Sequence, residues 1–278
     1  MMAATVYHAP PPAPGNATVT ALAYRRAAPG GGRHPVPHKT GSRRRRLESG
    51  FEVQGNLFSL GYFSANVCFG TPGQRFDLII DTGSSLTAMP CQGCSHCGSH
   101  SHEASGGLPA YSRARFDGAA SSTYTALDCQ HARCYQSGRC SGSTCPYGVS
   151  YSEGSSIRGH MALDVAWFAR RSSAAGHASV ACEATFGCQT SETNLFHDQV
   201  ADGICGFSQS QSYGPTLFDW LRLATGAPDV FSICLHEETG AMVLGGSVRD
   251  ASRHSWIPYT GGHAYTVALD SVRAGQLG

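Results

Sequence analysis

From Phe51 onward the chain is written in short apolar or alternating runs. YFSANVCFG, RFDLIID, YGVSYSEG, HMALDVAWFA, VFSICLH, GAMVLGG and YTVALDSV are separated by Gly, Pro, Asp and Ser. Apolar and polar residues alternating at a period of two between such breakers predict strands joined by turns. Only PTLFDWLRLATG at 215–226 has helical spacing, with Leu217, Leu221 and Leu223 flanking Trp220 and a glycine stop. An all-β class follows, with no short-period repeat.

Residues 1–50 read differently. They hold seven of the 14 prolines and eight Lys/Arg against one acid, Glu48. A segment that buries so little cannot offset its ordering entropy, so it is expected to be a disordered leader or a pro-segment. RRRR at 43–46 is a solvated basic run, a processing site for a basic-specific convertase, or a nucleic-acid tail. The sequon Asn16-Ala17-Thr18 says little in such a leader. The rest of the chain carries a net charge of −6, which argues against nucleic acid as a partner. No stretch reaches the 18 or more apolar residues of a membrane span, and MMAATVYHAPPP is not followed by the apolar core of a signal peptide.

All twelve cysteines lie in the body, eight of them between Cys68 and Cys145. That density among Gly/Ser loops favours disulfides, and hence an oxidising secretory or endomembrane setting (ER, vacuole or extracellular). The stretch 91–145 is expected to be a disulfide-stapled insertion with no core of its own. Cys91, Cys94 and Cys97, near His96, His100 and His102, leave a zinc cluster as the alternative. Pairing cannot be deduced from sequence, and Cys234 is a candidate for a partner beyond Gly278.

The chemistry is concentrated in FDLIIDTGSS at 76–85. An apolar run suited to a strand buried on both faces delivers Asp81 into a tight turn that Gly83 allows. Ser84 can then set a hydroxyl within reach of the carboxylate and favour its ionised form. Asp-Thr-Gly alone is a weak signal, and its context decides.

That context resembles the pepsin-like aspartic endopeptidases from about Gly61 to the last residue. GYFSANVCFGTPGQRFDLIIDTGSS matches the family's entry strands, its G-T-P turn and its catalytic loop, Asp81, Thr82, Gly83 and Ser84. YSEGSSIRG at 151–159 looks like the flap, the hairpin that closes over substrate, with Tyr151, Glu153 and Gly154 at its tip. ADGICGF at 201–207 resembles the segment that braces the catalytic loop. VFSICLHEETGAMVLGG and HSWIPYTGGHAYTVALDSVRAG look like strands that cross between two lobes and open the second. The likeness is closest to plasmepsin V-like and nepenthesin-like members, through CQGCSHCG, the form of the flap, and FGCQTSETNLFHDQVADG. One departure stands out: Ala88 occupies the place of the tryptophan whose indole anchors the flap tyrosine in pepsin.

The resemblance implies a bilobal acid-protease fold: a leader at 1–50, an N-terminal catalytic lobe at 51–250, and the start of a C-terminal lobe at 251–278. It implies hydrolysis of peptide or protein substrates by a water held between two carboxylates that share one proton, with no cofactor and no metal. Asp81 is one of the two. Asp202 precedes a glycine in ADGI, but the resemblance makes it part of the bracing segment, and Asp250 and Asp270 lack the hydroxyl-glycine setting of the other. The second acid is therefore expected beyond Gly278, where a membrane anchor could also lie, and the chain by itself is expected to be inactive. Glu153 is either a solvated hairpin charge or the partner of an arginine near the scissile bond, the residue that plasmepsin V-like enzymes select. Glu192 is a weaker candidate for the same task. Two other functions fit the fold: a non-catalytic protease-like binding or inhibitor protein, and a single-lobe protease that dimerises to bring two copies of Asp81 together.

Overall fold

The computed structural model describes residues 3–6, 20–25, 49–56, 59–100, 115–140, 142–169, 180–209, 212–245, 255–258, 260 and 264–270. The basic run 43–46, the Asn16 sequon, His102 and Asp250 lie outside them. The strands are β1 (Ala3–Val6), β2 (Thr20–Arg25), β3 (Ser49–Asn56), β4 (Tyr62–Phe69), β5 (Gln74–Asp81), β6 (Thr87–Pro90) and β7 (Thr125–Ala126). They continue with β8 (Pro146–Ser150), β9 (Ser156–Phe168), β10 (Cys182–Thr193), β11 (Gly203–Gly206), β12 (Val230–Leu235), β13 (Thr239–Leu244) and β14 (Ser255–Pro258). Two helices, α1 (Leu195–Asp198) and α2 (Leu217–Thr225), interrupt them.

Thirteen of these strands follow one another in a single sheet, in the order β14-β1-β2-β12-β13-β3-β4-β5-β11-β6-β10-β9-β7, and β8 pairs β9 off this path. The all-β expectation holds. Within residues 1–50, expected to be a disordered leader or a pro-segment, two strands form: β2 runs antiparallel to β12 from Val230↔Arg25 to Leu235↔Thr20, and β1 bridges β2 and β14. The short run TALAYR satisfies backbone groups that the edge of β12 would otherwise leave open.

β11 is the element that positions the site. It slots between β5, to which it is parallel, and β6, to which it is antiparallel. Its two glycines make the fit possible. A Cβ at Gly203 would lie 2.1 Å from the Ala88 carbonyl oxygen, and one at Gly206 would lie 2.4 Å from that of Ser84. Behind it, Phe69, Phe76, Phe116, Phe186, Phe207 and Phe231 form the main core, each contributing about 1.5–3 kcal/mol by burial. A second cluster, built on Leu86, Leu127, Tyr147, Ile157, Phe196 and Ile204, lies under the hairpin β8–β9.

α2 forms where helical spacing predicts it. Thr216 and Asp219 make a reciprocal capping box, and Gly226 ends the helix at φ 67°. Its buried face is Leu217, Phe218 and Leu221, whereas Leu223 is exposed. Two residues past Leu221 is about 200° around the helix, which turns Leu223 away from the core.

The Cys-rich stretch is stapled by Cys91–Cys188, Cys94–Cys97, Cys129–Cys140 and Cys134–Cys145. Cys91, Cys94 and Cys97 are thus all in disulfides, which removes the thiolates that a zinc cluster would need. Four disulfides are what an oxidising compartment permits. Cys68, Cys182 and Cys205 are free and buried, and Cys234 is free and exposed. Among the described residues no helix is long and apolar enough to cross a membrane.

Candidate active site

Asp81 is the last residue of β5, paired in register with Gly206 of β11. Phe76 and Leu78 are fully buried, while Ile79 and Ile80 are half-buried, so the strand emerges from the core as it reaches the acid. Phe207 N donates to the Asp81 carbonyl (2.7 Å) and Ser208 N to the Ser84 carbonyl (2.9 Å), which fixes the loop from behind. The Asp81 carboxylate accepts from Gly83 N at Oδ1 (2.7 Å) and from Ser84 Oγ at Oδ2 (2.5 Å). Hydrogen bonds to a carboxylate are charge-assisted and fix its orientation. Gly83 also keeps that approach open, since a Cβ there would sit 3.1 Å from Oδ1. Thr82 lines the cleft beside it.

Above the loop, β8 and β9 are joined by a tight turn. Tyr151 N donates to Ser155 O (2.9 Å), Gly154 N donates to Tyr151 O (3.0 Å), and Gly154 has φ +93°. The Tyr151 ring lies against Phe196 of α1, with centroids 5.0 Å apart. Burial raises the Tyr151 phenol well above its ordinary value; the Ser84 hydroxyl acts against that, and the Asp81 charge adds to it. Tyr151 and Asp81 line one cleft, and the tyrosine stays neutral there. Ala88 is fully buried on β6, so no indole is available at that point. Phe196 supplies the aromatic contact instead.

The cleft has a volume of 810 Å³ and is lined by Asp81, Thr82, Tyr151 and Glu153 together with apolar side chains such as Ile80, Leu195, Phe196 and Ile204. Glu153 is exposed at its edge and accepts from Ser155 Oγ. Asp270 is exposed and outside the cleft. Asp202 is fully buried and accepts from Asp77 N (2.7 Å), which fits a bracing role rather than a second catalytic acid.

Glu192 is a correction. Its side chain has no exposure; Oε2 accepts from Gly98 N (2.9 Å) and lies 2.9 Å from His100 Nε2, itself fully buried. A carboxylate so engaged in the interior does not reach substrate. Its buried position and its partner, 92 residues away in sequence, carry no local signature. Conversely, Leu195, Phe196, Asp198 and Val200 line the cleft and went unassigned, although Leu195 and Val200 stand out as exposed apolar residues. Among the described residues no cluster of His, Cys, Asp and Glu is arranged to hold a metal ion.

Residues 63–246 match the family model described as xylanase inhibitor N-terminal. Aspartic protease 5 of Toxoplasma gondii is 37% identical over 216 residues, covering 70% of this chain and 20% of that protein. Plasmepsin V of Plasmodium falciparum is 32% identical over 198 residues, covering 70% and 31%. Aspartic proteinase nepenthesin-1 of Nepenthes gracilis is 32% identical over 161 residues, covering 57% and 32%. The chain thus spans a third or less of the length of these relatives. With the match extending over well more than half of the chain, and with Asp81 and Tyr151 set across one cleft, the chain belongs to the pepsin-like aspartic protease family.

Proposed function

We propose that the chain carries one half of the catalytic apparatus of an aspartic endopeptidase of the secretory or endomembrane system. The observation that carries this reading is the Asp81 carboxylate, oriented by Gly83 N and Ser84 Oγ at the floor of a cleft covered by Tyr151. An acid held in this way is suited to share a proton with a second carboxylate. The ionised member of such a pair takes a proton from a bound water, which attacks the scissile carbonyl. The protonated member donates to the carbonyl oxygen, and the roles then reverse to expel the amine. Among the described residues the cleft holds two other carboxylates, Glu153 and Asp198, and neither sits in a hydroxyl-glycine loop. The second acid is assigned to another loop of the Asp-Thr/Ser-Gly kind, so the chain by itself is expected not to turn over peptide.

Tyr151, as a neutral donor over the cleft, is assigned to the peptide backbone of the substrate, with Gly154 giving the hairpin tip its turn. Glu153 is assigned to a basic side chain of the substrate. The name of the matching family model also points to inhibitors; an intact acid-serine pair beneath a flap tyrosine favours catalysis. Calorimetry of a statine-type peptide, whose hydroxyl takes the place of the attacking water, tests the reading. The full-length protein should bind it, and Asp81→Asn should weaken binding by about a hundredfold. Equal binding by both overturns it. Glu153→Gln should reduce the preference for arginine-bearing peptides, and an unchanged preference removes Glu153 from that role.

A further inference from the structure

We propose that Asn194 is a positioning residue, the catch that holds the flap tip down and sets the height of Tyr151 over Asp81; this rests on the peptidase reading of the cleft. Asn194 immediately precedes α1, where an asparagine ordinarily turns its side chain onto the first-turn amides of its own helix. Here the side chain makes no such bond. It reaches across to the flap, and Nδ2 donates to the Gly154 carbonyl at 2.8 Å. The backbone there takes φ 52° and ψ −126°, a positive-φ conformation unfavourable for a residue with a Cβ. A glycine would take this conformation freely but has no amide to offer.

The residues around Asn194 grip the same hairpin. Thr193 Oγ1 accepts from Ser156 N (2.9 Å), just past the turn, and Phe196 packs on Tyr151, just before it. The gripping segment is itself rooted. Glu192 N donates to His96 O (2.8 Å), and the Glu192 carboxylate holds Gly98 N and His100, next to the Cys94–Cys97 disulfide. The flap therefore rests on a base fixed to the Cys-rich loop. With Ala88 in place of an indole, this base is what determines where Tyr151 sits.

Hydrogen exchange by mass spectrometry on the full-length protein reads the catch without any turnover, comparing wild type with Asn194→Asp and Asn194→Gly. The first keeps size and shape but turns an acceptor toward the Gly154 carbonyl; the second relieves the backbone and removes the donor. In both, amides of 151–156 should exchange about threefold to tenfold faster, with those of β4 and β5 unchanged. For a cleaved peptide, KM should rise by a similar factor while kcat stays within about twofold. Flap exchange at the wild-type rate in both variants, or flap and core loosened equally, overturns the proposal. If the wild-type protein cleaves no peptide, the peptidase reading fails while the exchange comparison still decides the catch.

Discussion

Replacing Glu192 by glutamine tests whether the buried Glu192–His100 contact is ionic. His100 presents Nε2 to the Glu192 carboxylate at 2.9 Å and Nδ1 to the Gln199 carbonyl oxygen at 3.2 Å. With an acceptor facing each nitrogen, the ring is best satisfied with a proton on both. Burial pulls the His100 pKa down, but the hydrogen bond and charge of Glu192, the charge of Asp202 and the Gln199 contact together raise it above its ordinary 6.5. Glutamine keeps the shape and can still accept from Gly98 N and His100. It exchanges a charge-assisted bond, about 1.5–3 kcal/mol, for a neutral one of about 0.5–1.5, a loss of about 1–2 kcal/mol. For a folded unit of this size that lowers Tm by about 2–8 °C. The sign with pH follows from the raised pKa. The stabilisation is fully present below the unfolded value near 6.5 and is lost as pH rises through the higher folded value. Thermal unfolding followed by circular dichroism should therefore show a wider gap between wild type and Glu192→Gln at about pH 5 than in alkaline buffer. A gap of equal size at both refutes the ionic pair.

Three further outcomes follow from the same geometry. Ser84→Ala removes the 2.5 Å hydrogen bond to Asp81 and should lower kcat/KM of the full-length protein by about tenfold to a hundredfold; steady-state kinetics at wild-type levels would show that the bond is idle. Gly203→Ala drives a Cβ to 2.1 Å from the Ala88 carbonyl oxygen, backbone against backbone, and should cost about 1–3 kcal/mol or more in urea unfolding. The double replacement Cys91→Ala/Cys188→Ala opens a link with a sequence separation of 97 and should cost about 2–5 kcal/mol in the same assay, with reductant abolishing the difference.

Local pattern made the strands and the catalytic turn legible, because their causes are local. FDLIID is an apolar run suited to a buried strand, Asp-Thr-Gly closes it, and the helical spacing at 215–226 ends at Gly226. β11 is legible only through resemblance. Four residues say nothing of lying parallel to β5, and their place depends on what Gly203 and Gly206 leave out. Glu192 is misread because its carboxylate, on the strand that pairs with β9, is equally consistent in sequence with facing substrate or facing inward. Only the position of His100, across the Cys-rich loop, separates the two. Strand β2 is missed for a similar reason, because nothing in TALAYR by itself names the β12 edge with which it pairs. Phe196 needed the fold as well, since its value lies in what Ala88 does not provide.

The central claim is that Asp81 is a reacting acid in peptide hydrolysis. Its most direct measurement compares cleavage of an arginine-bearing peptide by the full-length protein and by its Asp81→Asn variant, purified side by side. The loss should be about a thousandfold or more with folding intact by circular dichroism. Cleavage by Asp81→Asn at the wild-type rate would contradict it.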